Sequence, residues 1–85
     1  MNWLVNVPNR VRKIIKKFPQ KDQERVLAAM RNFVLNPFTG DIEKIEEKEN
    51  GWRRRVGNYR IFYNIKIKER IVEITEVQRR TSKTY

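Results

Sequence analysis

The sequence is 85 residues long and carries 20 lysines and arginines against 10 aspartates and glutamates, a formal net charge of +10. A chain of this length holds one domain with one hydrophobic core, which excludes a multidomain enzyme. Cysteine and histidine are absent, which excludes disulfides, zinc and iron–sulfur sites, thiol nucleophiles and imidazole-based catalysis. So basic a surface predicts a polyanionic partner: nucleic acid first, then an acidic protein, then an anionic membrane. With no apolar run long enough to span a bilayer and no secretory signal, we expect a cytoplasmic protein.

The first half of the chain predicts a short strand and a helical hairpin. Residues 2–7 are typical of a strand, which Pro8 ends. Over residues 10–18 the apolar side chains recur at intervals of three and four, which indicates one face of a helix. The same spacing returns over residues 21–35. The pair Asn36-Pro37 ends this second helix, because a residue that precedes proline avoids the helical region.

The second half of the chain predicts a sheet. Residues 36–51 form an acidic connector with turn signals at both ends, and with a possible strand near residues 41–46. Segments 52–56, 59–67 and 70–78 are rich in β-branched and aromatic residues and are separated by short turns. They predict an antiparallel three-stranded meander that the helical hairpin covers on one side. We therefore expect a single α+β domain over residues 1–85, in the order β-α-α-β-β-β.

Arginines concentrate at one end of the predicted meander. Strand alternation sends Arg53 and Arg55 to one face, and Arg60 opens the next strand after a two-residue turn. Like charges on neighbouring strands repel each other. Such a cluster is more easily tolerated when an anion occupies it, and the planar fork of arginine suits phosphate. The alternative interpretation is a solvated sheet face. The last predicted strand adds Arg79-Arg80 at its end.

Arg54 permits two interpretations. By alternation it shares the core face with Trp52, so that its stem lies along the helices while the guanidinium reaches water. Alternatively, the strand is shifted and Arg54 lies near a bound RNA with the arginines on either side of it. Four aromatic residues are predicted to be core residues rather than base-stacking surfaces: Trp52, Tyr59, Tyr63 and Phe33. The acids of the connector make a poor magnesium site, because a flexible loop with interspersed lysines is a poor cage.

The run from residue 51 to residue 65, GWRRRVGNYRIFYNI, resembles the central block of the RelE/ParE superfamily of toxins. In that superfamily an aromatic and basic strand, a Val-Gly turn and a Tyr-Arg pair follow one another, after a short strand and a helical hairpin. Tyr85, a few residues after Arg79-Arg80, agrees with the same resemblance. The resemblance spans nearly the whole chain and implies the RelE-like fold. It also implies a toxin of a type II toxin–antitoxin system with a cognate antitoxin protein as its partner.

The activity that the resemblance implies is that of an mRNA interferase. Such an endoribonuclease enters the ribosomal A site and cuts mRNA without a metal or other cofactor, by attack of a 2′-hydroxyl on the adjacent phosphate. Mapped by motif, Arg60 contacts the scissile phosphate, Arg80 is the cation after the last strand, and Tyr85 stacks on a base or transfers a proton. The implied catalytic residues are Arg55, Arg60, Arg80 and Tyr85, and the implied RNA-binding residues are Arg53, Arg54, Arg79 and Lys83.

The sequence leaves the proton acceptor and two other functions open. Arginine stays protonated and cannot act as a base. Tyr85, whose ordinary pKa of about 10 nearby cations lower, Lys83 or a ribosomal group could accept the proton. One alternative function is a ParE-like toxin that binds DNA gyrase and is not a nuclease. The other is a plain RNA-binding domain. The arginines followed by a tyrosine near the C-terminus favour the nuclease, because the gyrase-directed branch generally lacks that set.

Overall fold

A computed structural model describes residues 2–79 of the chain. The elements, in chain order, are β1 (Leu4–Asn6), α1 (Asn9–Ile15), α2 (Gln20–Leu35), β2 (Ile42–Lys44), β3 (Gly51–Val56), β4 (Tyr59–Lys66) and β5 (Ile71–Arg79). Within these residues the strands form one sheet in the order β1-β5-β4-β3-β2. β1 runs parallel to β5, and the other neighbouring strands are antiparallel. The predicted α+β fold, with its helical hairpin and its meander, is confirmed. The strand expected near residues 41–46 is β2.

Prolines begin both helices of the hairpin. Pro8 and Pro19 precede α1 and α2 with φ angles of -64° and -56°, and a proline there loses no helical hydrogen bond, because the first N–H groups of a helix have no partner within it. α1 ends earlier than the sequence predicts, since its last turn tightens into i to i-3 hydrogen bonds before Pro19. Gln23 of α2 then donates its side-chain amide to the carbonyls of Lys16 and Phe18, at 3.2 and 2.8 Å. This bond joins the two arms of the hairpin.

The core lies between the hairpin and one face of the sheet. Phe33 of α2 packs against Tyr63 with ring centroids 4.4 Å apart, and Phe18 packs against Tyr59 at the same distance. The prediction that Phe33, Tyr59 and Tyr63 are core residues is confirmed, since all three are buried, and Trp52 packs against the core partly buried. Both tyrosine hydroxyls are satisfied. Tyr63 donates to the Pro37 carbonyl at 3.1 Å, and Tyr59 donates to an Asp22 carboxylate oxygen at 2.7 Å.

Burial changes the acid strength of both core tyrosines. It raises the pKa of Tyr63 to about 12, against a smaller lowering by the charge of Arg54. Burial, and after it the bond to Asp22, raise the pKa of Tyr59, while the charge of Arg79 lowers it. Both side chains therefore stay neutral at physiological pH and serve the core. No helix of the described residues is long and apolar enough to cross a membrane.

Candidate functional site

Three of the predicted arginines lie together on the face of the sheet that the helices do not cover. Arg55 lies directly opposite Arg60 in the register of β3 and β4, and Arg53 shares their face because it is two residues before Arg55. The two strands meet at a two-residue turn, whose first residue, Gly57, has a φ of 57°, as this kind of hairpin turn requires. We call Arg53, Arg55 and Arg60 the arginine cluster. It lies at the end of the sheet where β3 turns into β4.

Two acidic residues of the neighbouring segment border the arginine cluster. Together with its three arginines, Asp41 and Glu43 line a depression of about 100 Å³. Glu43 accepts two hydrogen bonds from Arg53, at 3.0 and 2.7 Å, and Asp41 accepts one from Arg55 at 3.0 Å. The Arg60 guanidinium has no hydrogen bond or ion pair with any residue of 2–79. Three guanidinium groups and two carboxylates leave a net positive charge in the depression, and Arg60 is its uncompensated member.

Sequence reasoning missed Asp41 and Glu43 as parts of this site. It treated the acids of the connector as loop residues and weighed them only as metal ligands. The missed signal is their spacing, because two acids at i and i+2 in a strand share a face, and β2 pairs with the strand that holds Arg53. Within residues 2–79 no group of three or more acidic residues is arranged to hold a metal ion.

Arg54 lies on the opposite face of the sheet from the arginine cluster. Its Cζ is 5.8 Å from the centre of the Phe33 ring, and its Nε and Nη1 are buried without a hydrogen-bond partner in the described part of the chain. Gly40 covers the group so closely that a Cβ on Gly40 would lie 2.7 Å from the Arg54 Cζ. The pairing of β3 with both neighbours is regular, so the interpretation with a shifted strand is wrong. The expectation that the guanidinium reaches water is also wrong for these two nitrogens.

Arg79 also lies on the helix-facing side, and a β-bulge explains why. The register of β4 and β5 shifts between Phe62 and Tyr63, and the extra residue, Thr75, donates its hydroxyl to the Phe62 carbonyl at 3.2 Å. A bulge of one residue reverses the alternation of the rest of the strand. Arg79 is thereby paired with the buried Tyr59 and is not part of the arginine cluster.

Three predicted site residues, Arg80, Lys83 and Tyr85, lie outside the described residues. The structure thus brings together Arg53, Arg55 and Arg60 from two strands and separates Arg54 and Arg79 from them. Guanidinium groups can bind an RNA backbone and stabilise extra negative charge on a phosphate. Of the side chains that line the depression, only the two carboxylates can accept a proton.

A second concave surface lies between the helical hairpin and β1. This groove has a volume of about 440 Å³. Its floor is apolar and its rim carries three cations, so it combines apolar area with positive charge. The apolar lining residues are Val5, Val7, Ile15, Leu27, Met30 and Val34, and the cations are Arg12, Lys16 and Arg31.

Comparison with known proteins gives one family and several similar structures. Residues 5–83 match the model of the family described as the ParE toxin of the type II toxin–antitoxin system parDE. The RelE–RelB complex of the archaeon Pyrococcus horikoshii OT3 is similar at 23% identity and a TM-score of 0.84, over 98% of this chain and 100% of that chain. The RelBE2 toxin–antitoxin complex of Mycobacterium tuberculosis is similar at 19% identity and a TM-score of 0.79, over 94% and 100% of the two chains.

The isolated RelE toxin of Escherichia coli is similar at 13% identity and a TM-score of 0.80, over 95% of this chain and 87% of that chain. At such identities the likeness establishes the fold that these chains share. A search of curated proteins gave no match.

Proposed function

Because the chain belongs to the family of ParE toxins of type II toxin–antitoxin systems, a branch of the RelE/ParE superfamily, we propose that it acts as a toxin by cutting messenger RNA in the ribosomal A site, without a metal. The observation that carries this proposal is the arginine cluster. Arg53, Arg55 and Arg60 share the uncovered face of the sheet at the β3–β4 turn, and the Arg60 guanidinium has no ion-pair partner in the described part of the chain.

In the proposed reaction the RNA attacks itself. The 2′-oxygen of one nucleotide forms a bond to the adjacent phosphorus, and the bond from that phosphorus to the 5′-oxygen of the next nucleotide breaks. The 2′-hydroxyl proton goes to a base, and a proton reaches the departing 5′-oxygen. The products are a 2′,3′-cyclic phosphate and a 5′-hydroxyl, so no water or metal enters the balance.

The arginine cluster supplies charge and orientation to this reaction. The transition state carries more negative charge on its phosphate oxygens than the bound RNA does, and fixed guanidinium groups stabilise that increase. Arg60 would contact the scissile phosphate and Arg55, directly opposite it in the register, would share the developing charge. Arg53 would hold the backbone in line. For Arg80, Tyr85 and Lys83 the proposal rests on the resemblance, and Arg54 and Arg79, which face the helices, are not included.

Mapping of transcripts by primer extension after induction of the toxin tests the proposed cleavage. We expect cuts in the ribosomal A site with wild-type protein and none with Arg60→Ala or Arg80→Ala, because each variant removes a cation from the scissile phosphate. Tyr85→Phe should reduce the cutting. Lys68→Ala is the matched control, since it removes an exposed cation from the far end of the sheet. Full toxicity of the Arg60→Ala variant would remove the catalytic assignment.

The second candidate function is binding of DNA gyrase without nuclease activity. It is favoured by the matched family, which is that of the ParE toxins. The same induction experiment separates the two, because a gyrase-directed toxin gives DNA damage with intact messages. A plain RNA-binding domain would show an RNA affinity that falls steeply with salt, but no cleavage on ribosomes.

The proposed partner is a cognate antitoxin, as in the RelE–RelB and RelBE2 complexes. The groove between the hairpin and β1 suits a segment that is apolar on one side and acidic at its margins, because its floor is apolar and its rim is cationic. Leu27, which is 40% exposed on this groove, would lose water when such a segment binds. We therefore place the antitoxin on the helical side of the protein, apart from the arginine cluster.

A further inference from the structure

Two carboxylates already occupy two of the three arginines that the proposed function assigns to RNA. Glu43 takes the Nε and Nη2 donors of Arg53 at 3.0 and 2.7 Å, and Asp41 takes the Nε donor of Arg55 at 3.0 Å. These are the donors that an arginine offers to a phosphate in a forked pair. An RNA backbone must therefore displace both carboxylates before it can bind these edges of the guanidinium groups.

The backbone holds both acids in place. Glu43 is the direct partner of Arg53 in the register of β2 and β3. The backbone N–H of Arg55 donates to the Asp41 carbonyl at 2.9 Å, so the short side chain of Asp41 starts from a fixed point beside Arg55. The contacts therefore follow from strand pairing and are not chance meetings of long side chains.

The ion pairs themselves are weak enough to exchange. The paired side chains are exposed by 38% and 66% for Arg53 and Glu43, and by 53% and 60% for Arg55 and Asp41. Ion pairs with this much water around them contribute little stability. A phosphate that is held at the site by other contacts can replace them, whereas a phosphate that meets the site from dilute solution competes with a carboxylate that is always present.

On the basis of the proposed function, we propose that Asp41 and Glu43 are specificity-determining residues that compete with RNA phosphates for Arg55 and Arg53. In the free protein they lower the affinity for loose RNA, although Arg60 remains open. The ribosome holds its message at a high effective concentration, and the message displaces them there. The cluster thereby favours RNA that is presented in position over RNA in solution.

Binding of a non-cleavable, 2′-O-methylated oligoribonucleotide to the isolated protein tests the inference. The variants are Asp41→Asn and Glu43→Gln, which keep the shape of each side chain and remove its charge. Glu69→Gln is the matched control, since it makes the same charge change in the exposed turn between β4 and β5. At low salt we expect Asp41→Asn and Glu43→Gln each to raise the affinity about threefold to tenfold beyond the control, because each frees one guanidinium.

The salt dependence gives a second measurement, which a purely structural role would not change. Each freed arginine should steepen the fall of log affinity with log salt by up to about 0.7, the value for one added phosphate contact to a single strand. Affinities and slopes equal to those of Glu69→Gln, or weaker binding with an unchanged urea midpoint, would overturn the inference. If wild-type binding still depends on Arg60 in that case, the proposed RNA site stands alone. If Arg60→Ala binds as tightly as wild type, the proposed site fails as well.

Discussion

Replacement of Arg54 by methionine should stabilise the protein. The Arg54 Nε and Nη1 are buried and lack a hydrogen-bond partner among residues 2–79, and an unpartnered buried donor costs about 1–3 kcal/mol. The contact with the Phe33 ring at 5.8 Å returns about 0.5–2 kcal/mol. A methionine of similar length fills the same space without the desolvation cost. We expect the free energy of unfolding to rise by about 1–2 kcal/mol, and Tm by about 4–8 °C for each kcal/mol at this chain length.

Urea denaturation followed by tryptophan fluorescence measures this change, and Arg55→Met is the matched control. Arg55 lies on the same strand, but its side chain is exposed on the other face and pairs with Asp41. We expect its replacement to change the free energy of unfolding by no more than about 0.5–1 kcal/mol and to weaken RNA binding. Arg54→Met should leave RNA binding intact.

Two results would refute the reasoning on Arg54. A loss of more than about 1 kcal/mol in Arg54→Met would mean that the buried guanidinium stabilises the fold on balance, beyond the usual scatter of surface substitutions. A loss of RNA affinity as large as that of Arg55→Met would mean that Arg54 contacts RNA, as the sequence alone suggested.

Three further predictions concern the core, the connector and the groove. Burial raises the pKa of Tyr63 from 10.0 to about 12, so its stabilising effect is complete below pH 10 and about 2–3 kcal/mol is lost between about pH 10 and 12; Tyr63→Phe should lack this part of the alkaline loss in a pH series of urea midpoints, and an unchanged pH slope would contradict it. Gly40→Ala should destabilise the protein by about 1–3 kcal/mol, because φ is 90° and the new Cβ meets Arg54; the loss should be smaller in an Arg54→Met background, and equal losses would assign it to the backbone alone. Leu27→Glu should weaken antitoxin binding by about tenfold or more in titration calorimetry, at 1.4 kcal/mol per factor of ten, and an unaltered affinity would place the antitoxin elsewhere.

Local patterns predicted the hairpin and the meander, and pairing between distant segments decided the rest. Apolar spacing and the residues around the Gly57 turn act over a few neighbours, so they can be recognised in the sequence alone. The parallel pairing of β1 with β5 has no such signal, because it joins a strand of three residues near one end of the chain to a strand near the other.

The candidate site was predictable to the same extent. Alternation within β3 correctly separated Arg54 from Arg53 and Arg55. The side of Arg79 depended on the bulge at Thr75, which no residue type in β5 announces. The carboxylates of Asp41 and Glu43 entered the site only through the pairing of β2 with β3, and the sequence left the presence and extent of that strand open.

The place of β1 at the edge of the sheet has a consequence for biosynthesis. Leu4 and Val5 find their partners only in Ile71 and Val72, which the ribosome adds late, and β5 also supplies Val72, Ile74 and Val77 to the core. Contacts between such distant segments form slowly, because the chain between them must first be closed. The domain therefore matures after translation has ended. On the proposed function, a newly made molecule leaves the ribosome that synthesised it before it becomes competent to attack another.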